Sequence, residues 1–310
     1  MSGREEKPPM RWLMGLTVLL ALAVPAGAAK QELELSVDGR TTLATLRTPA
    51  VMTPDTPLVV MTHGTLAHKD MEVIQGVAEA LEQRGIASLA HTLSLGLDRR
   101  KGMYDCAARH DYVVEDAVAE IGAWVARARG MSRLVVTFGH SRGGNQVARY
   151  LAASDTTPVA GAVLLAPVTA KAEADLRGSY AQAYGKPLEP FLELATKAIA
   201  AGRGEEWMDV PGFIYCRNAV VTARAFASFY AADAGQDTAA LVARAKPPVL
   251  VLAATKDAVV PDVAASFAPL AGSSGGRVQL DRIEDADHFF RDLFAEDVAD
   301  RIAEFIKQTR

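Results

Sequence analysis

Six short apolar runs, Leu58–Thr62, Ile86–His91, Leu134–Phe138, Val159–Leu165, Val249–Ala254 and Val278–Ile283, recur along the chain with helix-like stretches between several of them. Strands this apolar need cover on both faces, and intervening helices supply it, so the pattern predicts an α/β fold with a mostly parallel sheet. The helices show apolar spacings of three and four. Met71 to Gln83 carries Val73, Ile74, Val77, Ala80 and Leu81, Ala108 to Arg129 carries Tyr112, Ala117, Ile121 and Trp124, and the chain ends in an amphipathic stretch from His288 to Lys307. Only the start differs. Glu32 to Val37 and Thr41 to Arg47 flank Asp38-Gly39, a two-residue turn that predicts an antiparallel hairpin. At 310 residues the chain is long enough to bury one large core.

The rhythm breaks between Leu165 and Val249, where about 80 residues read as several helices and no further strand is expected. We read 168–245 as an inserted helical cap or lid, with 30–167 and 246–310 as the core. Nine of the chain's 20 Phe, Tyr and Trp residues fall in this segment. They either build a small core of their own or form the inner wall of an apolar pocket.

At the N-terminus, Arg11 precedes an apolar run from Trp12 to Val24 and a small-residue site Ala26-Gly27-Ala28. That layout predicts a cleaved signal peptide over residues 1–29 and a periplasmic or secreted protein, with no stable membrane span after cleavage. The run is shorter than the roughly 20 residues a spanning helix needs. The chain holds two cysteines, Cys106 and Cys216. In an oxidising compartment they are candidates for a disulfide that tethers the inserted segment to the core. A formal charge of −4 gives no reason to expect a nucleic-acid partner, and no Cys/His cluster has metal-ligand spacing.

The chemistry concentrates at the ends of the apolar runs. Gly139-His140-Ser141-Arg142-Gly143 follows the run ending at Phe138 and precedes a helix expected to start by Asn145. A serine on so sharp a strand-to-helix turn needs neighbours almost without side chains two residues before and after it, and Gly139 and Gly143 meet that need. The turn lifts the Ser141 hydroxyl above the sheet and aims the N–H of Arg142 at a developing oxyanion. A serine nucleophile requires a base and an orienting acid. His288, in a polar loop after the last apolar run, is the expected base, and Asp257, just after Val249–Ala254, the expected acid. The second oxyanion donor is expected after Leu58–Thr62, where His63-Gly64 precedes Thr65 and Leu66; the N–H of Thr65 is the first candidate and that of Leu66 the second. His140, with its side chain pointing elsewhere, and His63 are expected to be structural, and His91 is a candidate for lining the site.

With His63-Gly64 upstream, the Gly139–Gly143 elbow, and the order Ser141, Asp257, His288, the sequence resembles the α/β-hydrolase superfamily over nearly all of its length beyond the signal. The resemblance implies about eight strands, a helical cap after the sixth strand, and a Ser-Asp-His triad working without metal or cofactor. The chain lacks the His-Gly-Gly-Gly oxyanion loop of one lipase and esterase subgroup. The expected activity is cleavage of a small ester with an apolar part. The alternatives are an amidase or peptidase on the same scaffold and a non-catalytic binding protein.

Overall fold

The computed structural model describes residues 28–153 and 156–309; all but the last two residues of the expected signal segment lie outside them. The apolar runs become the six mutually parallel strands of one eight-stranded sheet. Its strands in chain order are β1 (Ala29–Val37), β2 (Arg40–Thr48), β3 (Leu58–Thr62), β4 (Ala87–Thr92), β5 (Val135–His140), β6 (Gly161–Leu165), β9 (Val249–Ala254) and β10 (Val278–Ile283). They lie side by side as β1-β2-β4-β3-β5-β6-β9-β10. β1 and β2 pair antiparallel through the Asp38-Gly39 turn, β2 runs antiparallel to β4, and every later pair is parallel.

Alternation along the inner strands divides the core into two layers. In β3, Leu58 and Val60 pack with Trp124 of α2 (Val114–Arg129), Val147 of α3 (Arg142–Ala152) and Phe267 of α9 (Val263–Ser273). Val59 and Met61 face the other way, onto Val73 and Val77 of α1 (Glu72–Gln83) and Val298 and Ile302 of α10 (Leu293–Gln308). The strand order reverses between β3 and β5, and the C-terminal ends of these two strands open a crevice where side chains can meet over the sheet edge.

The segment between β6 and β9 holds α4 (Ala170–Gly178), α5 (Tyr180–Tyr184), α6 (Glu189–Ala200), α7 (Ala223–Tyr230) and α8 (Thr238–Arg244). It also holds a hairpin that the helical expectation did not include: β7 (Trp207–Phe213) and β8 (Cys216–Thr222), paired antiparallel. Most of its aromatics build a core. Tyr180, Phe213, Phe226, Phe229 and Tyr230 are buried together with Tyr104 and Tyr112 from the loop after β4. Among the described residues, no helix is long and apolar enough to cross a membrane.

Two helices start later than their periodicity suggests. Residues before α2 cannot join it because His110 pairs with β8: its N–H bonds to the Val220 carbonyl at 2.8 Å, and its carbonyl accepts from the Thr222 N–H at 2.9 Å. Cys106 is bonded to Cys216, with Cα atoms 5.2 Å apart. The loop after β4 is thus stitched to the hairpin, by backbone hydrogen bonds and by the disulfide. α10 starts at Leu293 because Phe290 and Asp292 adopt positive φ, which leaves His288 in a loop.

Candidate active site

Ser141 stands between the last residue of β5 and the first of α3, with φ 55° and ψ −123°. A β-substituted residue at positive φ stores on the order of 1–3 kcal/mol of strain unless its surroundings hold it. Here they do. The Ser141 N–H donates to the Leu165 carbonyl at 2.9 Å, while its carbonyl accepts from Gly144 and Val168 at 2.9 and 3.2 Å. The flanking glycines are sterically required. A Cβ on Gly139 would fall 2.3 Å from the Gly143 carbonyl oxygen, and one on Gly143 would fall 2.4 Å from that of His63.

The other two expected members sit at the ends of neighbouring strands, Asp257 after β9 and His288 after β10. His288 Nε2 is 3.0 Å from Ser141 Oγ, and His288 Nδ1 is 2.7 Å from Asp257 Oδ2. The opposite carboxylate oxygen, Oδ1, accepts the N–H groups of Val259 and Val260 at 2.7 and 2.8 Å. Burial works to raise the Asp257 pKa, but the His288 hydrogen bond and the two backbone donors outweigh it and hold the carboxyl below its usual range. An ionised Asp257 takes the Nδ1–H of His288 and leaves Nε2 as an acceptor facing the serine.

The loop after β3 closes the site from the other side. Thr65 lines the cavity, and no acceptor for its N–H is present among the described residues. Leu66 does not line it: its side chain is buried with Leu93 and Tyr112, and its carbonyl binds the Tyr104 N–H. Of the two donor candidates, only Thr65 lines the cavity beside Ser141, while the Leu66 N–H likewise has no acceptor among the described residues. The Arg142 side chain ties the two halves together, its Nε donating to Thr65 Oγ1 at 3.2 Å and its guanidinium pairing with the buried Glu173 at 2.7 Å.

Two histidines depart from expectation. His140 does not point away: it lines the cavity, and its Nε2 donates to the His288 carbonyl at 2.9 Å. Burial, reinforced by the neighbouring His288, lowers its pKa to about 4, so it is neutral at pH 7. His91 is enclosed in the sheet, bonded to Thr62 Oγ1 and stacked on Trp124, and does not line the site. Among the described residues, no group of three or more His, Cys, Asp or Glu is arranged to hold a metal ion.

Ser141 opens onto two lobes of about 300 Å³ each. The first is walled by Met71, Val73 and Ile74 at the start of α1, by Met103, Val259 and Phe289, and by Tyr215 from the hairpin. The disulfide explains how Met103 and Tyr215 come to share that wall, since each lies within three residues of a bonded cysteine. The second lobe is more polar and is bounded by Arg142, Glu173, Asp175, Ser179 and Asp262. The apolar wall thus comes largely from the start of α1 and from core loops, not from the inserted aromatics. Met71, Val73 and Ile74 carried a signal only as the apolar face of a helix, and Met103 and Phe289 carried none.

Residues 59–305 match the model of the alpha/beta hydrolase family. No curated protein sequence matches the chain. Among solved structures, Est1E from Butyrivibrio proteoclasticus with ferulic acid bound superposes with a TM-score of 0.63 at 20% identity, covering 89% of this chain and 98% of that one. The alpha/beta hydrolase GrgF from Penicillium sp. sh18 superposes at 0.62 and 18% identity, with 91% and 99% covered. The Pyrococcus furiosus esterase Pf2001 superposes at 0.59 and 15% identity, with 91% of each chain covered.

Proposed function

The chain belongs to the alpha/beta hydrolase family, and from that premise we propose that it is an exported serine esterase that cleaves carboxylic esters through an acyl-enzyme on Ser141. The observation that carries this reading is the relay from Asp257 Oδ2 through His288 to Ser141 Oγ, 2.7 and 3.0 Å per step, ending at the mouth of an apolar lobe. Ser141 Oγ attacks the ester carbonyl while His288 Nε2 takes its proton. Asp257 keeps the imidazole in the accepting tautomer and balances the imidazolium that forms. The carbonyl oxygen becomes an oxyanion held by the N–H groups of Thr65 and Arg142. His288 returns the proton to the departing alkoxide, the alcohol leaves, and water repeats the sequence to release the acid.

The lining of the two lobes favours one orientation of the ester. The leaving alkoxide must lie within reach of His288 Nε2, and His288 lines only the apolar lobe. The alcohol part therefore occupies the apolar lobe and the acyl part the lobe bounded by Arg142 and Glu173. Residues 168–245 act as a cap on a core formed by 30–167 and 246–310. Export is supported by the signal-like N-terminus and by the Cys106–Cys216 bond. Two structural relatives, the Pyrococcus furiosus esterase Pf2001 and Est1E with ferulic acid bound, favour esters over amides.

The test is a panel of p-nitrophenyl esters beside aminoacyl and peptidyl anilides, followed by ester series varied separately in the alcohol and in the acyl part. Ester turnover exceeding anilide turnover by orders of magnitude, and abolished in Ser141→Ala, is the expected result. Turnover of anilides alone would replace the reading with an amidase. No turnover and no labelling of Ser141 by a fluorophosphonate would replace it with a binding protein.

A further inference from the structure

Behind the oxyanion loop lies a buried guanidinium that the relay does not use. Arg100, in the loop after β4, is 5% exposed. Its Nε donates to the Leu93 carbonyl at 2.8 Å, one terminal nitrogen to the Gly102 carbonyl at 2.6 Å, and the other to both the Ala67 carbonyl at 2.6 Å and His63 Nε2 at 3.3 Å. None of these partners is a carboxylate. Burying a guanidinium on carbonyls alone is unfavourable unless its hydrogen bonds are fully met, so the arrangement persists only where the surroundings enforce it.

The contact with His63 fixes more than position. His63 Nε2 receives a second hydrogen bond, from the Leu93 N–H at 3.0 Å. Both partners can only donate, so Nε2 is the acceptor, the ring proton sits on Nδ1, and Nδ1–H donates to the Gly64 carbonyl at 2.8 Å. That carbonyl is thereby turned toward the ring. In a trans peptide the C=O and the following N–H point in opposite directions, so the N–H of Thr65 faces away from His63, toward the side where Thr65 lines the cavity. At the far end of the same loop, Arg100 grips the carbonyl of Ala67, another cavity residue. One side chain therefore holds both ends of the segment that carries the oxyanion donor. A charged donor on Nε2 also strengthens the Nδ1–H bond on the other side of the ring.

We propose that Arg100 is a positioning residue for ester hydrolysis, acting through His63 and Ala67 to aim the N–H of Thr65 at the oxyanion. The proposal rests on the serine-esterase reading above. A donor that acts on developing charge affects the transition state and not the bound ester, so its misalignment lowers kcat and leaves KM in place. Complete loss of one such donor lowers kcat about 10²–10³-fold, and misaiming it is expected to lower kcat about ten- to a hundredfold.

The experiment compares the parent with Arg100→Gln and Arg100→Lys on a p-nitrophenyl ester, with rates normalised to sites titrated by a fluorophosphonate. Alongside, it measures inhibition by a boronic acid, whose tetrahedral adduct on Ser141 places an oxygen where the oxyanion forms. The expected result is that kcat and boronate affinity fall together by about ten- to a hundredfold, with KM within about threefold of the parent. Unchanged kcat per titrated site, or a loss confined to KM with boronate affinity retained, would overturn the role. Nitrogen chemical shifts of the His63 ring in the parent protein give a readout that needs no variant to fold. A protonated Nδ1 with an accepting Nε2 is expected, and the opposite tautomer overturns the chain of contacts. A parent that hydrolyses no ester retires the esterase reading itself, whereas an active parent with unaffected variants retires only Arg100.

Discussion

Asp257→Asn is the substitution whose outcome the local geometry dictates most narrowly. Asparagine is isosteric, but only one of its terminal atoms accepts hydrogen bonds. Asp257 Oδ1 takes the Val259 and Val260 N–H groups at 2.7 and 2.8 Å, and the amide oxygen must remain there or two backbone donors lose their partner. The amide NH2 is then forced into the position of Oδ2, 2.7 Å from His288 Nδ1. It can only donate, so Nδ1 becomes the acceptor and the ring proton moves to Nε2, which faces Ser141 Oγ. A protonated Nε2 cannot take the serine proton. Inverting this tautomer in a serine triad lowers kcat about 10⁴-fold, equivalent to about 5.5 kcal/mol of transition-state stabilisation. The backbone contacts survive, so the fold should persist. The assay is steady-state hydrolysis of a p-nitrophenyl ester, together with the rate of fluorophosphonate labelling and the melting temperature. Ester turnover and labelling should fall in parallel while melting moves by a few degrees at most. A variant within tenfold of the parent would refute the tautomer argument.

Three further outcomes are expected. Reduction of the Cys106–Cys216 bond, or Cys216→Ser, removes a crosslink between residues 110 apart, worth up to about 5 kcal/mol on the chain-entropy model; melting should drop by up to about 8 °C, and intact mass should rise by two hydrogen atoms on reduction. The fold should be acid-sensitive, because burial lowers the pKa of His91 to about 3 and of His110 and His140 to about 4, and that of His63 well below its usual value. Each of these imidazoles stays neutral when folded and gains a proton on unfolding below about pH 6.5, whereas Glu120, raised to about 7 by burial, opposes them with one proton bound in the folded state. Near pH 5.5 unfolding should therefore take up about 2–3 protons, so that stability falls by about 3 kcal/mol per pH unit on acidification; melting temperatures from pH 7.5 to 5 test it, and a flat profile counts against it. Gly143→Ala should abolish both turnover and labelling, since its Cβ would meet the His63 and Thr62 carbonyl oxygens at 2.4 and 2.6 Å; an active variant would show that the elbow is less tightly packed than described.

The parallel sheet and the meeting of Ser141, Asp257 and His288 were legible because both follow from where polar residues interrupt apolar runs. Ser141 and Asp257 follow runs buried in the sheet, His288 follows the edge strand β10, and the topology carries the C-terminal ends of β5, β9 and β10 to one side. The hairpin of β7 and β8 was not legible. The exposed Trp207 and Asp209 alternate with the buried Met208 and Val210, which is a strand pattern, but Pro211 and Gly212 cut that signal short and the strand finds its partner only across a turn. The early start expected for α2 failed for a related reason: apolar spacing continues upstream, yet pairing of His110 with β8 and the disulfide hold that segment extended. The network of Arg100 and His63 left no trace in the sequence, because hydrogen bonds to carbonyls depend on loop conformation and not on residue pattern.

The central claim is that Ser141 carries the acyl group, and intact mass of the protein quenched during turnover of a p-nitrophenyl ester tests it most directly. The account predicts an adduct with the mass of the acyl group, located by fragmentation to Ser141, absent in Ser141→Ala and accumulating when water attack is slow. An active parent that shows no adduct under rapid quench, or carries it on another residue, would contradict the account.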